Sequence, residues 1–264
     1  MIAIGYAAPF GVFRDFTAGY FRASFRFAPP SVLYGLLLNL CGMEMRAALG
    51  PDATLTRDEL PVFQIASAAR EADRRRHSFG RAQFDESPLP GSGVLFQQLH
   101  SLPVGATNKH RIPLTKGNKH HISPGRRQVL LGIRGVCLVR GNEEFETRLA
   151  ESLDSPPSLL DNGRERYGVP FLGDNSFMLE ELSQITLDDA PVEWLTVREA
   201  EEPDQDDFSE PVSRAAGPPF RLTLWADRAG MKTTRSAFFQ AVPGRLDMPP
   251  ESAWVTVGPL ASVV

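Results

Sequence analysis

Residues able to move protons and to neutralise phosphate gather in one stretch of this chain. Lys109, His110, Arg111, Lys116, Lys119, His120 and His121 stand close together, with Tyr20 a further candidate upstream. Metal-independent cleavage of RNA needs a base for the 2′-hydroxyl, an acid for the leaving oxygen and a cation for the phosphorane. These residue types supply all three. They are equally what a basic loop holds when it binds RNA without cutting it. Cutting demands a fixed geometry that a glycine-broken segment does not impose, so the balance favours binding. His120 and His121 are adjacent, and adjacent residues seldom chelate one ion; no Cys or Asp lies close by. No metal and no other cofactor is expected.

The surroundings of these residues carry the argument further. From Ser87 to Asn142 there is no Asp or Glu, although acids outnumber bases 32 to 28 over the 264 residues. The chain has four lysines, and three of them lie in this window, alongside Arg126, Arg127, Arg134 and Arg140. Gly105, Gly117, Gly125, Pro103, Pro113 and Pro124 rule out a helix and predict a loop or a long exposed hairpin. A cationic segment of this kind suits a polyanion. The competing reading is a solvated loop that lacks acids by chance, and the length of the window weighs against it.

Net charge is −4, so attraction to bulk nucleic acid by overall charge is excluded and any contact must come from a local patch. The balancing acids run from Glu199 to Glu210, an expected linker or exposed loop. There is no Walker loop, no G-x-G-x-x-G, no H-E-x-x-H, no nucleophile elbow and no acidic cluster of a two-metal nuclease. Cys41 and Cys137 sit among apolar residues and read as buried thiols of a reducing compartment. Met1–Phe10 lacks the basic start of a signal peptide. Val32–Leu40 is too short for a bilayer, which takes about 20 residues. A cytoplasmic protein without membrane contact is expected.

The elements that would position the basic residues can be taken in order. Met1–Tyr6 predicts a central strand. In Pro9–Ala28, six phenylalanines alternate with Arg14, Arg22 and Arg26. Such rings and guanidinium groups can stack bases and pair phosphates, though phenylalanines as core residues are the commoner case. Pro29-Pro30-Ser31 opens a helix, with Ser31 as its cap, that runs Val32–Leu49 and stops at Gly50-Pro51. Leu60–Ala68, Gly93–Leu99 and Val129–Val139 predict strands, the last the strongest in the chain. Glu143–Leu153 predicts a second helix, and Arg164–Phe177 loop plus strand. Pro191–Val197, Phe220–Trp225, Ser236–Val242 and Ala253–Val257 predict further strands. This order fits an α+β, ferredoxin-like sheet with helices on one face. Expected boundaries are 1–198 for that domain, 199–219 for the acidic linker and 220–264 for a smaller β-rich C-terminal part.

Phe10–Gly35 (F-G-V-F-R-D-F-T-A-G-Y-F-R-A-S-F-R-F-A-P-P-S-V-L-Y-G) resembles the N-terminal signature of CRISPR-associated (Cas) family five. That family is the subunit of type I Cascade complexes that holds the five-prime handle of the guide RNA. Further resemblance lies in Gly117-Asn118-Lys119 with Arg126-Arg127, in Tyr167–Asn175 (Y-G-V-P-F-L-G-D-N) and in Arg221–Thr234 (R-L-T-L-W-A-D-R-A-G-M-K-T-T). The last two look most like the type I-B branch and its Myxococcus-type variants. The resemblance implies an RNA-recognition-motif-like fold with a projecting basic thumb, here Val104–Arg127. It implies a role in antiviral defence within a ribonucleoprotein, contacts with the last backbone subunit and with the large PAM-reading subunit, and target DNA engaged through guide pairing. One branch of the family processes guide RNA with Tyr, Lys and His. The branch resembled here leaves processing to a separate enzyme.

The expected role is therefore a non-catalytic crRNA-binding subunit. Lys109, Arg111, Lys116, Lys119, Arg126 and Arg127 would meet handle phosphates. His110, His120 and His121 would meet unpaired bases, and Arg14, Arg22 and Arg26 would line the groove below. Gly168, Gly173 and Asn175 are read as loop-shaping residues. Two alternatives stay open. One is a metal-independent endoribonuclease of the same fold acting on CRISPR precursor RNA. The other is a scaffold whose basic loop binds an acidic protein.

Overall fold

The computed structural model describes residues 1–13, 21–47, 56, 57, 59–70, 90–100, 122–155, 165, 168–174, 176–198, 219–226 and 234–259. Among them ten strands form one sheet, and its spine is β5 (Ile122–Arg140). At about 3.3 Å per residue, this strand reaches about 60 Å. The remaining strands are β1 (Ile2–Gly11), β2 (Phe21–Arg22), β3 (Phe63–Arg70), β4 (Gly91–His100), β6 (Glu181–Gln184), β7 (Pro191–Val197), β8 (Phe220–Trp225), β9 (Arg235–Arg245) and β10 (Val255–Val257). They run in the order β6-β1-β5-β3-β7-β9-β8, with β10 beside β3 and with β2 and β4 beside β5. Every pairing is antiparallel except that of β2 with β5.

β5 serves different partners along its length. Its C-terminal half lies between β1 and β3, from Ile2↔Val139 to Gly11↔Leu130 on one edge and from Gln64↔Arg140 to Ala69↔Gly135 on the other. Its N-terminal half pairs with β4, from Gly91↔Leu131 to His100↔Ile122. The described parts of the acid-free window thus pair as two antiparallel arms. The arm extends well before Val129, where the apolar run begins. Pro124 and Gly125 are tolerated because this part of β5 is near the edge of the sheet.

The sheet is apolar on both faces, as the near-continuous hydrophobic runs of β1 and β5 require. On one face Ile4, Tyr6, Phe63, Ile65, Cys137 and Val139 pack with two α-helices of the described residues, α1 (Pro30–Leu40) and α2 (Glu143–Asp154). On the other, Val136, Leu138, Ala66 and Trp194 pack with Leu246 and Trp254. The C-terminal strands share this sheet, and Leu222, Trp225 and Phe239 belong to the helix-side core. A run of rings binds the layers together. Tyr34 stacks on Phe63 at 5.3 Å between centroids, meets Trp225 edge-on at 5.8 Å, and Phe63 stacks on Phe145 at 4.4 Å.

β1 runs on to Gly11 rather than ending at Tyr6, and other expected boundaries move for local reasons. The first helix ends at Leu40, not Leu49. Gly42 adopts φ 68°, and its N–H bonds to the Asn39 carbonyl at 3.0 Å while that of Met43 bonds to the Leu38 carbonyl at 2.9 Å. This glycine-closed turn satisfies the last carbonyls and stops the helix. Its cap is Pro29 rather than Ser31, with Pro30 at the first helical position, where a missing N–H costs nothing. β3 begins at Phe63 rather than Leu60, just after Pro61, which cannot donate to a ladder. The second helix matches its expected span, capped by Asn142, whose Oδ1 accepts from the Phe145 N–H at 3.0 Å. No helix among the described residues is long and apolar enough to cross a membrane. The acidic run and the centre of the basic window lie outside the described residues.

Candidate functional site

The root of the basic hairpin is built by four pieces of chain far apart in sequence. The decisive contact is the short parallel pairing of β2 with β5, which places Phe21 beside Arg126 and Arg22 beside Arg127. From the other edge of β5, β4 brings Phe96 beside Arg126 and Leu95 beside Arg127. The aromatic-and-arginine segment and the acid-free window, two separate features of the sequence, thereby become one surface.

Polar contacts hold this corner. The Ser24 N–H donates to Oε1 of Gln128 at 3.1 Å, which ties the segment after β2 to β5. Ser24 Oγ accepts from the Phe13 N–H at 2.8 Å, and the Phe25 N–H donates to the Phe13 carbonyl at 2.9 Å. The segment is thus also stapled to the chain leaving β1. The fourth piece is the 168–174 loop. Gly173 has φ 83°, and a Cβ there would stand 2.5 Å from the Val12 carbonyl oxygen, so only glycine lets the loop approach so closely. Gly168 likewise has a positive φ of 144°. Both glycines shape the loop, as expected from sequence.

The next residue, Asp174, accepts from Arg127 Nη1 at 2.7 Å in an ion pair whose side chains are 15% and 21% exposed. Burial alone would raise the Asp174 carboxyl, but hydrogen bonds from Ser176 and the Arg127 guanidinium outweigh it and hold the group below its ordinary value. Arg127 therefore fastens the loop to the hairpin. Arg126 is exposed on the face it shares with Phe21, and Arg22 is half-buried on the opposite face, beside Arg127.

Of the residues expected to bind RNA, Arg22, Arg126 and Arg127 come together. Arg26 is exposed and stands apart from them. Its charge reaches Glu193 on β7, where burial raises the carboxyl and Arg26 counters part of that rise. Arg14, Lys109, His110, Arg111, Lys116, Lys119, His120 and His121 lie outside the described residues, as do Tyr20 and Asn175. Arg140, at the far end of β5, is engaged in packing. Its guanidinium lies 3.9 Å over the Trp254 ring, donates to Gln64 Oε1 at 2.8 Å and pairs with Glu251. Cys137 is buried, and desolvation pushes its thiol up to about 12, which makes it an inert core group. Sequence reasoning missed Ser24, Gln128, Asp174 and Phe96. Ser24 and Asp174 lay in the stretches Phe10–Gly35 and Tyr167–Asn175 that carry the resemblance, but nothing in the sequence named their partners.

Among solved structures the chain is similar to one described as a CRISPR RNA-guided surveillance complex, with a TM-score of 0.50 and 12% identity over 96% of this chain and 95% of that one. The two chains are similar in fold over nearly their full lengths. Two further similar structures are a Cas protein (TM-score 0.44, 10% identity, covering 98% and 99%) and a CRISPR protein from Archaeoglobus fulgidus (0.32, 10%, 98% and 92%). No protein-family model and no curated protein matches the sequence.

Proposed function

We propose that this chain is a non-catalytic RNA-binding subunit of a type I CRISPR surveillance complex, which grips the five-prime handle of the guide RNA. The observation that carries the reading is the β2–β5 pairing, which joins the N-terminal arginine-and-aromatic segment to the root of the acid-free hairpin. Arg126 then forms the inner end of a cationic surface, while Arg22 leaves the opposite face beside Arg127. Lys109, Arg111, Lys116 and Lys119 would meet handle phosphates, and His110, His120 and His121 unpaired bases. Arg127 contributes through its hold on the 168–174 loop. The antiparallel order β6-β1-β5-β3, with α1 between β1 and β3 and α2 between β5 and β6, supports a ferredoxin-like reading of the central part. The likeness to a surveillance-complex chain supports membership of such a complex, and the sequence resemblance of Tyr167–Asn175 and Arg221–Thr234 carries the type I-B branch, with a backbone subunit and a large PAM-reading subunit as partners. Target DNA would then be met through guide pairing.

Incubation of the purified chain with labelled CRISPR repeat RNA in EDTA, scored for binding and for scission together, tests this. Binding without cutting is expected, and Arg126→Ala and the Lys116→Ala/Lys119→Ala pair should each weaken it. Cutting at one phosphodiester would contradict the non-catalytic assignment and turn attention to His110, His120 and His121. No affinity at low salt would instead favour a scaffold that binds an acidic protein.

A further inference from the structure

Three neighbouring strands set one row of side chains across the hairpin root. Phe21 on β2, Arg126 on β5 and Phe96 on β4 are ladder partners in sequence, so their side chains leave the same face of the sheet. Both rings are open to solvent, 47% exposed for Phe21 and 61% for Phe96. Val94, two residues along β4 and on the same face, is 64% exposed. Among the described residues neither ring packs on another ring. This contrasts with Phe27 and Phe63, which stack on Phe220 and Phe145, and with Phe25, which meets Phe220 at a tilt.

Exposed phenyl rings side by side mark a surface that meets something apolar. The guanidinium between them and the absence of any acid from Ser87 to Asn142 specify more. The partner has flat apolar faces and carries negative charge, which is the chemistry of an unpaired nucleobase on its phosphate backbone. We infer that Phe21, Arg126 and Phe96 form a stacking seat for unpaired bases of single-stranded RNA, a role that rests on the RNA-binding function proposed above. The rings lie two strand spacings apart, about 10 Å. Each offers a face to one base, and Arg126 meets the phosphate between them. Stacking tolerates any base, so the seat holds a splayed strand in place without reading its sequence.

The test uses the full chain and labelled repeat RNA at several salt concentrations. Because both rings are exposed, Phe21→Ala and Phe96→Ala should leave the thermal midpoint unchanged. The double variant should lose at least about tenfold in affinity at every salt concentration, with a salt slope parallel to that of the parent chain. Arg126→Ala should instead make the slope shallower by about 0.7. In a Phe96→Trp variant, repeat RNA should quench the new indole, while inorganic polyphosphate, a polyanion without bases, should not. Parent-like affinity in the double variant, with Arg126→Ala still weakened, would overturn the stacking seat and leave the RNA-binding function standing. Equal quenching by polyphosphate would overturn the seat likewise. No RNA affinity in the parent chain would remove both.

Discussion

Arg127 and Asp174 show how one ion pair can serve architecture at a cationic surface. The pair is mostly buried and joins β5 to a loop more than 40 residues away in sequence. Asp174→Ala should lower stability by about 1–3 kcal/mol, since it leaves a partly desolvated guanidinium without this partner. The effect has a pH signature. The native carboxyl sits below its ordinary value, so its contribution is present above the unfolded pKa of about 3.9. That contribution is lost as the pH falls through the lowered native value. Urea unfolding of parent and variant should therefore differ at pH 7 and converge in acid; a constant difference at all pH values would refute this role. Tyr6 and Gly135 make a second residue-scale case. They are ladder partners, and a Cβ at 135 would fall 2.3 Å from the Tyr6 ring. Gly135→Ala should cost about 1–3 kcal/mol of stability through overpacking, read from the denaturation midpoint. Neither relation was legible in the sequence. Asp174 lay in a recognisable stretch with nothing to name its partner, and the contact of Tyr6 with Gly135 depends on a register that joins residues far apart in the chain.

At the scale of elements, the second helix depends on its first turn. Asn142 accepts from the Phe145 N–H, its own N–H donates to Glu146 Oε1 at 3.3 Å, and its side-chain amide donates to the Val62 carbonyl at 3.3 Å. Asn142→Ala should cost about 0.5–2 kcal/mol, measurable as a lower thermal midpoint. Phe63→Ala should cost about 3–5 kcal/mol, because it empties the middle of the ring column joining α1, β3 and α2. A loss under 1 kcal/mol there would mean the column does not hold the layers. Elements with local signals were legible. The 3.6-residue spacing marked both helices, and β-branched runs marked β5 and β7. Boundaries were less so, since Gly42 stops α1 with a turn whose hydrogen bonds no spacing rule displays. β2 was not separable at all. Two residues carry no periodicity, and their strand exists only because β5 is there to pair with.

For the whole molecule, charge segregation and fold point the same way. A chain with net charge −4 keeps 56 residues, Ser87 to Asn142, free of acid, and the described part of that window forms the long hairpin of β4 and β5. The window was plain from composition. That the N-terminal phenylalanines and arginines would join its root was not, because the β2–β5 contact spans about a hundred residues. On the function proposed above, this surface binds single-stranded RNA through its backbone and its unpaired bases. The most direct test is the affinity of the full chain for labelled repeat RNA as a function of salt. Log K should fall linearly with log salt concentration, about 0.7 in slope for each phosphate neutralised, with a shallower line for Arg126→Ala. An affinity indifferent to salt, or a slope untouched by Arg126→Ala, would contradict it.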